Sequence, residues 1–106
     1  MHIAIRLAMA LIMCGIAVAQ PGAEVYGTRC ASCHGQDGAG KTNAAKTFNG
    51  MPDLRTQIQA LSNRQLFESI ARGTDHKKYP HVFLQMGLTQ SDITAIVDHL
   101  RTMAKK

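Results

Sequence analysis

Apolar residues recur with a helical period in two places along the chain. In the first, Leu66, Phe67, Ile70 and Ala71 fall on one face, and Gly73 stands where a helix would stop. Ser62 ahead of this run, with Gln65 three residues on, is the pairing of a capping box. In the second, Ile93, Ile96, Val97 and Leu100 follow the i, i+3, i+4, i+7 pattern of one buried face, and Thr89 with Asp92 supplies the same start signal. Gly22 to Tyr26 predicts a short helical lead-in. From Gly35 to Gly50 the composition turns to Gly, Asn, Asp and Lys, which predicts a long loop with little regular structure. No stretch alternates with period two for long enough to make a strand, and no segment repeats. The pattern is that of an all-α domain.

A further apolar run, Leu7 to Val18, is continuous rather than periodic. A short start carrying Arg6 precedes it, and Ala17-Val18-Ala19 gives a small-x-small pattern just before Gln20. Basic, then apolar, then small is the order of a secretory signal peptide. The run is well short of the roughly 20 residues that span a bilayer. An uncleaved anchor and a lipid on Cys14 are the competing readings, and Met13 fits a lipoprotein signal poorly. Cleavage after Ala19 divides the chain into a leader, residues 1–19, and one domain, residues 20–106.

Composition narrows the class. A chain of 106 residues holds one small domain. Apolar residues make up 45%, which excludes an acidic or low-complexity disordered chain. Twelve basic against seven acidic residues give a net charge of +5. Trp is absent and aromatics are 5%, so few large side chains are available for a core and a bound cofactor would supply what they lack. Three cysteines allow at most one disulfide, which excludes a disulfide-stapled scaffold; loss of the leader would leave only Cys30 and Cys33.

Those two cysteines carry the chemistry. Cys30-Ala31-Ser32-Cys33-His34 is C-x-x-C-H, the attachment signature of c-type haem. Two thiols three positions apart lie on the same side of a helical turn, where each can add to one haem vinyl group. The adjacent histidine then sits under the iron and offers an imidazole nitrogen. Export fits, because covalent attachment to this motif takes place outside the cytoplasm in bacteria. A thioredoxin-like pair needs a preceding strand in a βαβ setting, which is missing. A structural zinc site needs a second Cys/His pair at ligand spacing, also missing. A disulfide between Cys30 and Cys33 would leave His34 without a role.

These residues resemble the class I cytochromes c, and the resemblance runs along nearly all of residues 20–106. Val25-Tyr26, Cys33-His34-Gly35 and Asp37-Gly38-Ala39-Gly40 are similar to the family's first helix and haem-binding loop. Leu66 to Gly73 is similar to its middle helix, and Leu88-Thr89 with the helix from Asp92 to its last, with His99 at a common aromatic position. The resemblance implies three to four helices around one covalently bound haem c. It also implies that the Pro52 carbonyl, in Pro52-Asp53-Leu54, accepts a hydrogen bond from the His34 imidazole and raises its basicity.

The sixth iron ligand is where the sequence departs from the family pattern. Family members supply a methionine shortly before the last helix, about seven residues ahead of the position held by Leu88. That count lands on His81, in Tyr79-Pro80-His81-Val82-Phe83. Met86, only two residues before Leu88, ranks second and His76 third; Tyr79 or an open position remains. Met51 mimics the Met-Pro pair with Pro52 but lies on the proximal side of the loop order, and Met103 lies at the end of the last helix. A methionine ligand raises the haem potential, whereas a second imidazole holds it lower.

With both axial positions filled by side chains, the expected function is outer-sphere transfer of single electrons, by a carrier and not an enzyme, in the periplasm. The basic surplus, with Lys77-Lys78 beside the distal loop, would steer redox partners that dock through acidic surfaces. Nucleic acid is not an expected partner, nor is stable membrane insertion once the leader is removed. A subunit of a larger oxidoreductase, or a small-gas-binding haem protein, is the second class, and applies where the distal position is weak or open.

Overall fold

The computed structural model describes residues 21–48, 50–76 and 81–104. The expected leader lies outside these residues, as do Lys77, Lys78 and Tyr79. Six α-helices and no strand occur among the described residues: α1 (Pro21–Arg29), α2 (Ala31–His34), α3 (Asn43–Thr47), α4 (Leu54–Gln57), α5 (Asn63–Arg72) and α6 (Gln90–Met103). Two 3-10 turns, Ile58–Ala60 and Phe83–Gln85, complete the set.

The two patterned helices start and stop where their local chemistry dictates. Ser62 accepts from the Gln65 amide at the head of α5, and the Gln65 side chain accepts from the Ser62 amide in return. Thr89 and Asp92 close the same reciprocal pair on α6. Gly73 ends α5 in the left-handed conformation, its amide returning to the Glu68 and Ser69 carbonyls.

The 35–50 segment is more regular than its composition predicts. Thr42 caps α3 by accepting from the Ala45 amide, and its hydroxyl also donates to the Cys33 carbonyl at 2.8 Å. Asp53 caps α4 in the same way, accepting from the Arg55 amide. Three helices have nine or more residues, in keeping with the expected three to four; the others are single turns inside the loops.

Burial of the apolar faces puts α1 across α6. Gly22 makes the crossing close, because a Cβ there would overlap the Ala95 carbonyl. Tyr26, Ile93 and Ile96 are fully buried behind it, and the His99 ring tilts over Tyr26 with centroids 5.2 Å apart. Helix α5 packs on the other side of α6 through Leu66, Ile70 and Ala71. Arg101 of α6 then ties down the segment between α4 and α5. Its guanidinium donates to the Ile58 carbonyl (2.9 Å), the Leu61 carbonyl (2.6 Å) and Asn63 Oδ1 (2.7 Å). The Ile58 carbonyl, which also accepts from the Leu61 amide, and the Leu61 carbonyl are thereby held from a distant helix.

Candidate functional site

Cys30, Cys33 and His34 lie on one turn, where α1 hands over to α2. The Cys33 and His34 amides both point back to the Cys30 carbonyl, at 3.2 and 3.0 Å. Three more bonds hold the carbonyls of this turn from outside. Thr42 donates to Cys33, the Gly40 amide to His34 at 2.7 Å, and the buried Tyr26 hydroxyl to Gly35 at 2.6 Å. Burial, aided by the neighbouring Cys30 and Asp37, drives the Tyr26 phenol above its ordinary range, so it stays protonated and able to donate. Neither Tyr26 nor Thr42 is singled out by the motif, although Thr42 is a cap-type residue and the sequence already carried that signal.

Both cysteines are half-buried thiols. Burial pushes the Cys30 thiol up to about 11, against the lowering effect of Arg29. A neutral thiol is the opposite of the activated thiolate that a thioredoxin-like exchange needs.

Beside this turn lies a cavity of about 720 Å³, within the range of sites that enclose a small organic molecule. Cys30 and His34 form one wall together with Met51 and Pro52, and Ile58, Leu66 and Ile70 line the interior. His76, His81 and Phe83 line it as well. The His34 and His76 ring centroids are 6.5 Å apart with planes at 85°. His76 and His81 are 4.1 Å apart, and His81 stacks on buried Phe83 at 5.1 Å. Burial, then the His76 and His81 imidazoles, push His34 down to about 4. Burial and His76 likewise hold His81 below its ordinary value. At neutral pH both are therefore uncharged, the form that ligates a metal.

The residues expected at the site divide clearly. Cys30, His34, Pro52, His76 and His81 all border the cavity, and Cys33 stands on the same turn. Met86 does not border it: its side chain is 49% exposed, and its carbonyl accepts from the Arg29 guanidinium at 3.2 Å. The expected bond from His34 to the Pro52 carbonyl is not formed. His34 Nδ1 is buried without a hydrogen-bond partner among the described residues, while the Met51–Pro52 segment packs against Gly40. That approach requires glycine, since a Cβ there would stand 3.0 Å from the Met51 carbonyl and 3.1 Å from that of Pro52, at a backbone φ of +76°.

The arrangement fits a c-type haem. Two thiols and a histidine share one turn, an apolar cavity opens beside them, a buried imidazole nitrogen lacks a partner, and two further imidazoles line the same cavity. No group of three His, Cys, Asp or Glu side chains among the described residues is close enough to enclose a bare metal ion. No helix among the described residues is long and apolar enough to cross a membrane.

No curated protein matches the sequence at a significant level. The family model for cytochrome c matches residues 19–104, taking in the haem-attachment turn, the cavity and both patterned helices. Carrying covalent haem c and passing electrons is what this family does, and the chain belongs to it as a class I cytochrome c.

Proposed function

We propose that this cytochrome c carries single electrons between redox partner proteins outside the cytoplasm, with an imidazole as the sixth ligand of its haem iron. The observation that carries the second half is the division at the distal wall: His81 and His76 border the cavity, and Met86 faces solvent. When bound, the haem supplies a one-electron ferric/ferrous couple. Cys30 and Cys33 would hold it covalently and His34 would ligate from the proximal side. The loop count favours His81 as the opposing ligand.

The remaining residues set the conditions for transfer. Tyr26, Gly40 and Thr42 fix the backbone of the attachment turn and with it the position of the His34 Cα. Ile58, Leu66, Ile70 and Phe83 exclude water from the cavity, and Pro52 covers its proximal edge. A basic chain, with a net charge of +5, favours partners that present carboxylates.

Near-infrared magnetic circular dichroism of the ferric holoprotein, purified from a periplasmic fraction, tests the ligation. A charge-transfer band at the bis-imidazole position is the expected result; a histidine/methionine band would return the sixth position to Met86. Association with an acidic redox partner should slow as ionic strength rises. A rate independent of salt would refute electrostatic docking.

A further inference from the structure

Two histidines, not one, border the cavity, and one of them stands at a ligating distance from His34. Imidazoles bound to opposite faces of one metal hold their centroids about 6.3–6.5 Å apart, given a metal–nitrogen bond of about 2.0–2.1 Å and a five-membered ring built from ~1.33 Å bonds. His34 and His76 stand 6.5 Å apart, which matches that span. Each ring can turn about its own metal bond, so planes at 85° are compatible with it. His81 lies in the same cavity with its ring centroid 4.1 Å from that of His76. One ring width separates the two candidates.

Each is also anchored independently. His76 follows the α5 stop, its amide donating to the Gly73 carbonyl at 3.1 Å. His81 rests on Phe83, whose burial fixes the start of the descent toward α6.

We infer that the sixth coordination position is served by two interchangeable imidazoles, His76 and His81, so that losing either one leaves the iron six-coordinate. This rests on the bis-imidazole reading above. The device keeps the distal face closed to small exogenous ligands and keeps the haem in its electron-transfer form.

Three holoproteins test it: His76→Ala, His81→Ala and the double variant. The readouts are the ferric spin state by magnetic circular dichroism and the rate of carbon monoxide association with the ferrous form. Both single variants should remain low-spin with a bis-imidazole band, and the double variant should become high-spin. Carbon monoxide association should rise at least ~10-fold in the double variant alone, because the apparent rate scales with the fraction of iron whose sixth position is open. A high-spin spectrum in one single variant would show one dedicated ligand and overturn the inference while sparing the bis-imidazole reading. A methionine band in the parent that persists in both single variants would overturn both. If an alanine variant fails to accumulate, the corresponding His→Asn variants, closer in size to imidazole, decide between the same outcomes.

Discussion

Gly22→Ala probes the contact on which the fold turns, the crossing of α1 and α6. An added methyl there would overlap the Ala95 carbonyl oxygen, and would stand 2.8 Å from the carbonyl carbon and 3.3 Å from the His99 Cβ. Most of these neighbours are helix backbone, which cannot rotate aside, so α1 must lift away from α6. The lift loosens the Tyr26 ring from Ile93, Ile96 and His99, which it packs against. Overpacking of this kind costs about 1–3 kcal/mol, set against a gain of about 0.5–1 kcal/mol from replacing a helical glycine by alanine. Gly27→Ala is the matched control: it lies in the same helix, and its Cβ would meet only the Gln36 side chain, at 4.0 Å. For a domain of this size each kcal/mol moves Tm by about 4–8 °C. Thermal unfolding of the holoproteins should place Gly22→Ala several degrees below the parent and Gly27→Ala at or above it. Equal melting temperatures for the two variants would refute the close crossing.

Other perturbations separate the remaining contributions. Arg101→Met removes three hydrogen bonds to the segment 58–63 and should lower the urea unfolding free energy by about 2–3 kcal/mol; Arg101→Lys should recover less than half, since an ammonium cannot span three acceptors. Tyr26→Phe keeps the buried ring but deletes the bond to the Gly35 carbonyl, for a loss of about 1–2 kcal/mol in the same assay. Ser62→Ala and Thr89→Ala each break a capping box and should cost about 1 kcal/mol, read as a shift in the urea midpoint without change in slope. Replacing both Cys30 and Cys33 by alanine should let acid–acetone extract the haem, whereas the parent chain should retain it after the same treatment.

Local chemistry was legible wherever partners lie within a few residues. The caps of α5 and α6, the α5 stop at Gly73 and the buried stripe of α6 all depend on neighbours in sequence, and the structure places each as expected. The single-turn helices α3 and α4 were legible only in part. Thr42 and Asp53 are cap residues, but a short segment among glycines holds a helical turn mainly because something outside it fixes an end. For α3 that is the reach of Thr42 to the Cys33 carbonyl, a partner from another part of the chain.

The sequence by itself determined the C-x-x-C-H turn, the all-α class and the set of candidate ligand side chains. Each depends on residue type and short spacing. Tertiary structure decided which of those side chains reach the cavity. Phe83 buries into the core, and the Met86 and Leu88 amides both return to its carbonyl, at 3.0 and 3.1 Å. That tight turn, held by Arg29 of α1 on the Met86 carbonyl, leaves the Met86 side chain in solvent. The turn after α5 brings the His76 ring within 6.5 Å of that of His34. Spacing along the chain cannot register either placement, because both follow from how α1 and α5 pack against α6.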